Sequence, residues 1–599
     1  MHTNRLLTAI AATLTPLVLL APTTTASAKA TPPPKSPVAI GSGGAVSTVD
    51  ADATAIGLAV LRKGGNAVDA AIAAAAALGV TEPYSSGLGG GGFFVYYDAA
   101  TKTVHTIDGR ETAPAAFTAT TFTENGQPIP FADAVTSGLS NGVPGTPATW
   151  ASAMKRWGTR SLDDTLGPAA KLAANGFVVD QTFHDQTVAN QSRFALFPAT
   201  AALFLPGGQA PAVGSILRNP DLADTYRRLG QVGMNTIYGG QIGRDIVQTT
   251  QHPPLAPGST YNARPGLMTL ADLKKYQAIP RTPTHMTYEG LDVYSMAPPS
   301  SGGSTVGESL NVLGNFNLTQ MSDTQFYHHY LEATRLAFAD RNRYVGDPAY
   351  VNVPLNELLS TGFARERACL INPAQAATSP VPPGSPDGSY DNCAVQGGAA
   401  PTGYEGPNTT NLTVADKWGN VVEYTLTIEQ TGGSGITVPG RGFLLNNELT
   451  DFNFVPTQGT APDPNLPASG KRPRSSMSPT IVLHGGAPFL ATGSPGGASI
   501  ITTVLQILIE RLDHGLTLPQ AIAAPRASQR NSSTTQAEQA FIDTYGSGLT
   551  ALGQSFVLPP APPEIGAATA IEFLGDGRFE AAAEPVRRGG GAAAVVNPD

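Results

Sequence analysis

The chain has 599 residues, ample for a large core. With 66 Gly, 51 Pro and only 14% charged residues it fits a compact protein with tight turns better than a disordered one. Its formal net charge is −9 and its 36 basic residues are scattered without a Lys/Arg cluster, which excludes a nucleic-acid-binding surface.

At the N-terminus, Arg5 precedes an apolar run from Leu6 to Leu20 interrupted by Pro16, and Ala26-Ser27-Ala28 offers a small-residue cleavage site. Residues 1–28 therefore read as a secretory signal peptide. The run is short of the ~18 residues a membrane span needs, and no other stretch is long and apolar enough. No cysteine follows for a lipid anchor, so the mature protein is expected to be exported and soluble, without a stable membrane anchor. The Pro-rich residues 31–37 read as an exposed leader.

Helices are expected over 51–62, closed by Gly64 and Gly65, and from a cap at Asn66 through an Ala-rich stretch to Leu78. Gly87-Leu-Gly-Gly-Gly-Gly92 satisfies G-x-G-x-x-G, but the run 93–97 after it reads as a strand where a dinucleotide loop needs a helix. Gly138-Leu-Ser140-Asn-Gly142 matches a nucleophile elbow, yet Pro144 and Pro147 argue against the helix that should follow Ser140. Further helices are expected over 151–157, 161–174, 220–229 (capped by Asn219) and 323–341. His328 and His329 on the last of these point about 100° apart, unsuited to chelating one metal. Cys369 and Cys393 suit an oxidising compartment, and a bridge between them would close a loop worth roughly 3 kcal/mol in the chain-entropy model.

The most informative stretch is Asn408-Thr409-Thr410. Alternating runs at 411–416 and 422–428 flank Lys417-Trp418-Gly419-Asn420, a β-hairpin pattern. With the turn centred on Trp418, Thr409 falls opposite Thr427, with Cβ atoms roughly 4.5–5.5 Å apart. An N-terminal threonine there could use its own amine as base. Thr409 is mid-chain, so this reading requires self-cleavage between Asn408 and Thr409. The plainer reading is ordinary strand threonines, and the Asn-Thr-Thr and Asn-Leu-Thr triplets also match glycosylation acceptors. Strands are expected at 441–445, 478–483 and 489–492, and a helix at 501–514, giving an α+β layered sandwich without internal repeats.

Three downstream segments supply what acyl transfer needs. Gly493-Ser-Pro-Gly496-Gly497 can aim successive N–H groups at one oxyanion. Lys471-Arg-Pro-Arg-Ser475-Ser476 offers paired hydroxyls, and Asn446-Asn447-Glu448-Leu-Thr-Asp451 offers two carboxylates.

With these segments the chain strongly resembles the γ-glutamyltranspeptidases, self-processing N-terminal-nucleophile hydrolases. The resemblance runs from about Ala39 to the C-terminus. It includes Gly64-Gly-Asn-Ala-Val-Asp-Ala-Ala71, Arg110-Glu-Thr-Ala-Pro114, Gly142-Val-Pro-Gly145 and Leu444-Leu-Asn-Asn-Glu-Leu-Thr-Asp-Phe452, besides the Gly87, Lys471 and Gly493 segments. It implies a four-layer αββα sandwich built from a large subunit (29–408) and a small catalytic subunit (409–599), cut from one precursor into a heterodimer. Thr409 would be the nucleophile of both self-cleavage and turnover, hydrogen-bonded by Thr427. Arg110, Ser475 and Ser476 would grip the donor's α-carboxylate. Glu448 and Asp451 would hold its α-ammonium, and the N–H groups of Gly496 and Gly497 would bind the oxyanion. No cofactor or metal is called for.

Two departures stand out. Well-known members carry asparagine where this chain has Glu429, which the strand pattern puts on the face of Thr427, where a third carboxylate would either strengthen ammonium binding or repel the donor's carboxylate. The segment from Asp451 to Lys471 is shorter than a full lid. The leading expectation is transfer of a γ-glutamyl group from glutathione or related γ-glutamyl compounds to water, amino acids or dipeptides. A glutaryl- or cephalosporin-type acylase is the nearest alternative, and an unprocessed binding protein for γ-glutamyl peptides the more distant one.

Overall fold

The computed structural model describes residues 30–390, 393, 408–560, 562 and 564–599. The expected signal peptide, residues 1–28, lies outside them. The leader at 31–37 forms no element, yet it is tied down at its end. Ser36 and Pro37 accept backbone hydrogen bonds from Ala593 and Ala583.

The framework is one curled antiparallel sheet, thirteen-stranded among the described residues. In chain order its strands are β1 (Val38–Thr48), β2 (Gly91–Asp98), β3 (Thr103–Gly109), β4 (Ile279–Arg281), β5 (Thr284–Tyr288), β6 (Leu291–Ser295), β7 (Thr410–Asp416), β8 (Val421–Thr427), β9 (Thr480–His484), β10 (Ala487–Gly493), β11 (Thr569–Phe573), β12 (Arg578–Ala583) and β13 (Ala592–Pro598). They lie in the order β4-β3-β2-β8-β7-β1-β12-β11-β10-β9-β6-β5, with β13 also on β1. β1 is the pivot: its first half pairs β12 and its second half pairs β7. Between the halves the register against β13 shifts, and Gly43 and Gly44 take φ values of +83° and +130°, conformations that glycine enters freely. The strand bends there, and the two arms of the sheet come face to face.

Helices cover the outer faces. On one side α1 (Ala51–Arg62) and α2 (Ala67–Thr81) lead, joined by α3 (Thr146–Trp157), α4 (Leu162–Asn175) and α5 (Pro220–Val232). On the other side are α6 (Gly302–Leu313), α7 (Asp323–Tyr344) and α8 (Ser499–Leu512). Asn66 caps α2 in a reciprocal box with Asp69, and all of α2 is buried. Its alanines let the helix lie close on β7 and β8. Asp416 ends β7 and organises the hairpin tip, accepting from the Trp418 and Asn420 N–H groups, and it reaches the Ala67 N–H at 2.9 Å. The hairpin is thereby fixed to the start of α2.

The β7–β8 register pairs Thr410 with Leu426 and Asn411 with Thr425, as expected from a turn at Trp418. Thr409 is therefore opposite Thr427, one residue outside the ladder. Leu412, Val414, Val422, Tyr424 and Leu426 join the core beneath α2. Asn411, Thr413, Glu423 and Thr425 point to the opposite arm of the sheet. There Asn411 and Thr413 bond Thr569 of β11 at 2.8 and 3.0 Å.

One expected strand is absent: 441–445 makes only isolated bridges, Leu444 with Thr437 and Leu445 with Gly89. Gly440 and Gly442, both with positive φ, turn the chain too sharply for a ladder. Ser140 ends a short 3₁₀ turn, its hydroxyl donating to the Val135 and Ser137 carbonyls. His328 and His329 each meet a backbone carbonyl, of Asn372 and Gln325. Cys369 and Cys393 are bonded, with Cα atoms 6.0 Å apart.

The helical layer carries a pH dependence. Glu510 of α8 accepts from Tyr327 and Gln506 at 2.9 and 2.7 Å, and burial pushes its carboxyl up to about 7. An unfolded glutamate titrates near 4.3. Between those values the folded chain binds the extra proton, so stability is lost as pH rises toward 7. The loss is about 3 kcal/mol, or roughly 2–3 °C in Tm for a chain of this size. Glu510→Gln should gain that much Tm relative to the parent on going from pH 4.5 to 7; an unchanged difference would refute it.

Candidate active site

Thr409 sits at the open end of the hairpin, 3% exposed, and Thr427 faces it with the same exposure. Their hydroxyl oxygens are 3.5 Å apart. The Thr427 hydroxyl donates to the Asn408 carbonyl oxygen at 2.9 Å and accepts from the Glu429 N–H at 2.8 Å. The pair thus lies against the peptide bond between Asn408 and Thr409. The absence of a side chain at Gly90 lets its backbone pack against that of Thr427, because a Cβ there would lie 2.0 Å from the Thr427 carbonyl oxygen.

Asn408, Thr409 and Thr427 line a small cavity of about 20 Å³ together with Arg110, Glu429, Glu448, Asp451, Ser475, Ser476, Met477, Gly497 and Ile500. Residues distant in sequence converge here. Arg110 follows β3, Glu448 and Asp451 form a 3₁₀ turn, and the serines follow the buried Lys471–Arg474 run. The guanidinium of Arg110 is 1% exposed and forks to both Glu448 and Asp451. It also donates to the Pro473 and Arg474 carbonyls at 3.2 and 2.9 Å. Burial works against its charge, but the two carboxylates outweigh it and raise its pKa. The cluster carries one cation and two anions in a nearly dry setting, where ion pairing is strong and an unpaired charge costly.

Glu429 lines the cavity, but not as the strand pattern predicts. β8 ends at Thr427, and Glu429 takes a left-handed φ of +80°, which breaks the alternation. Its carboxylate accepts from Asn447 Nδ2. Asparagine enters that conformation more readily than glutamate. Ser475 is fixed by backbone bonds with Pro299 and Ser301, and its Oγ accepts from the Met477 N–H at 3.2 Å. Gly496 and Gly497, with φ of +140° and +56°, lead into α8. Gly497 is on the cavity wall and Gly496 is not. The Asp451–Lys471 segment is anchored rather than loose. Asp463 accepts from Asn453 and Thr457, and Lys471 Nζ caps the Pro464 and Leu466 carbonyls.

Three neighbours were not named as site residues from the sequence. Arg341 of α7 donates to Ser476 Oγ and Ser301 Oγ at 2.8 Å each. Glu111 is fully buried beside Arg110, and burial, then the Glu448 carboxylate, push its carboxyl well above the usual range. Arg588, in the β12–β13 loop, donates to the Thr409 carbonyl at 2.7 Å. Only the Arg110-Glu111 adjacency was visible in advance. The Cys369–Cys393 bridge contributes nothing to the cavity wall. Chemically, the arrangement sets two hydroxyls against one peptide bond, beside a buried cluster of one guanidinium and two carboxylates.

A family model described as Gamma-glutamyltranspeptidase matches residues 53–594. The chain is 39% identical over 575 residues to a glutathione hydrolase proenzyme of Bacillus subtilis (strain 168), covering 94% of each chain. It is 36% identical over 552 residues to a glutathione hydrolase proenzyme of Escherichia coli (strain K12), covering 90% of each. Among solved structures it is similar to a cephalosporin acylase from Bacillus halodurans, with TM-score 0.80 and 27% identity over 96% of this chain and 99% of that one.

Proposed function

The chain belongs to the γ-glutamyltranspeptidase family, and on that premise we propose an exported, self-processing γ-glutamyltransferase and glutathione hydrolase. Residues 1–28 direct export. The rest is a precursor of the four-layer αββα type, cut into a large subunit (29–408) and a small one (409–599) that remain a heterodimer. Among the described residues no helix is long and apolar enough to cross a membrane. The observation that carries the reading is the meeting, in one cavity, of the Thr409–Thr427 pair, the Asn408 carbonyl and the Arg110–Glu448–Asp451 cluster.

In the precursor, Thr409 Oγ attacks the Asn408 carbonyl carbon. Its proton passes to Thr427 Oγ as Thr427 gives its own to the Asn408 carbonyl oxygen, the two hydrogen bonds already in place. On collapse that proton moves to the Thr409 nitrogen, which leaves as a free amine, and the ester that remains is opened by water to a carboxylate at Asn408 and an N-terminal Thr409. In the mature enzyme that amine takes the proton of its own hydroxyl while Oγ attacks the γ-carbonyl of the donor. The N–H groups of Gly496 and Gly497 hold the oxyanion, and the protonated amine passes its proton to the leaving amine. Water, an amino acid or a dipeptide then opens the γ-glutamyl ester.

The donor's α-carboxylate goes to Arg110, Ser475 and Ser476, and its α-ammonium to Glu448, Asp451 and Glu429. A zwitterionic donor keeps the cluster's charges paired, its carboxylate on Arg110 and its ammonium on the two carboxylates that Arg110 now meets, whereas a glutaryl group adds an anion with no ammonium to offset it. The same argument disfavours the acylase alternative. Assay of the processed protein on glutathione and on a glutaryl-cephalosporin, with and without a dipeptide acceptor, tests the assignment. Glutathione is expected to be the better donor, and faster release of the cephalosporin nucleus would overturn it.

The amine must be neutral to act as base. Its unperturbed pKa is about 7.7–8.0, so kcat/KM should rise with pH through that region. A flat profile between pH 6 and 9 would rule the amine out.

A further inference from the structure

We propose that Arg588 is the positioning residue of self-cleavage, clamping the chain on both sides of the bond that breaks; this rests on the self-processing reading above. Its Nη1 donates to the Thr409 carbonyl oxygen at 2.7 Å, after the scissile bond. Its Nη2 donates to the Asn408 side-chain oxygen at 2.5 Å, before it. The same nitrogen reaches Ser85 Oγ at 2.9 Å, and Ser85 Oγ lies 3.2 Å from the Asn408 side-chain oxygen. Asn408 Nδ2 donates to the Tyr84 carbonyl at 2.9 Å. Both polar atoms of the Asn408 side chain are therefore held, and the residue after the bond is held by the same guanidinium.

A hydroxyl attacks the carbonyl of the residue before it only if the intervening torsions keep oxygen and carbon in reach. Fixing such a geometry in advance is a large part of intramolecular rate enhancement. A planar guanidinium can grip two acceptors at a fixed separation, which an ammonium cannot. The backbone of Arg588 supports the assignment. It sits at φ +55°, ψ +34°, a region that non-glycine residues rarely enter, although Gly589, Gly590 and Gly591 follow at once. Its N–H is fixed by Glu564 Oε2 at 2.8 Å. A strained residue kept where glycine would cost nothing points to a use for its side chain. Arg588 and Thr409 lie on the same side of the cut and Asn408 on the other. The clamp therefore lets go of the departing end and keeps its hold on the new N-terminal residue.

Purified wild type, Thr409→Ala, Arg588→Gln, Arg588→Lys and Arg588→Ala test this on denaturing gels over time. Arg588→Gln should slow conversion to two chains about ten- to a hundredfold, as expected for lost charged hydrogen bonds. Arg588→Lys should restore part of the rate, and millimolar guanidinium should accelerate Arg588→Ala. Melting of the Arg588 variants alongside uncut Thr409→Ala shows whether they fold. Cleavage of Arg588→Gln at the wild-type rate would overturn the clamp, as would a folded Arg588→Ala indifferent to guanidinium. A wild type that stays uncut would overturn self-cleavage itself and the clamp with it.

Discussion

Thr409→Ala is expected to stay as a single chain and to turn over neither glutathione nor any other donor. Two losses coincide. Without the hydroxyl nothing attacks the Asn408 carbonyl, which the Thr427 hydroxyl already contacts at 2.9 Å. Without cleavage there is no amine to act as base. Loss of a nucleophile that works as a unit with its partners costs roughly a millionfold in kcat. Thr409→Ser keeps the oxygen and should still process. The variant's melting temperature should stay close to that of a slow-processing control, because Thr409 lies outside the β7–β8 ladder. Two bands from purified Thr409→Ala would refute the mechanism.

Asp451→Asn should produce the second largest effect, and one that depends on the donor. The substitution keeps the shape of the side chain and removes its charge. Truncating one member of a desolvated charge pair costs about 2–5 kcal/mol, or roughly 30- to 5,000-fold in kcat/KM for γ-glutamyl donors at 1.4 kcal/mol per tenfold. Asp451 also pairs with Arg110, so the variant leaves that guanidinium freer for a donor's carboxylate. Glutaryl donors bring no ammonium, and their rate should hold or improve. The ratio between the two donors cancels any general loss of folding or processing. Equal loss on both would mean that Asp451 supports the cavity without reading the amine. Glu429→Asn should cost γ-glutamyl donors less, several-fold, because Asn447 already holds the Glu429 carboxylate and asparagine relieves the left-handed backbone.

The hairpin was legible because two period-2 runs around a short turn determine both strand identity and register, so the Thr409–Thr427 pairing followed from counting. The caps at Asn66 and Asn219 were legible for a similar reason, since each side chain satisfies an N–H only three residues away. Arg341 and Arg588 were not legible. They reach Ser476 and Thr409 through the curl of the sheet, and no local pattern encodes a contact between segments so far apart. The pairing of Arg110 with Glu448 and Asp451 was foreseen only as three donor contacts. Their attraction for one another in a buried setting is a consequence of low dielectric that spacing does not show. The run 441–445 has strand-like side chains, but Gly440 and Gly442 decided its path. Glu429 was misplaced because alternation was extended two residues beyond the end of β8.

The most direct test of Thr409 as a self-generated nucleophile is intact-mass analysis of the processed protein, quenched during turnover of a γ-glutamyl donor. The predicted result is a small chain beginning at Thr409 and carrying one γ-glutamyl group, located on the N-terminal peptide as an acid-stable, base-labile ester. A small chain that begins elsewhere, or an adduct on any other residue, would contradict it.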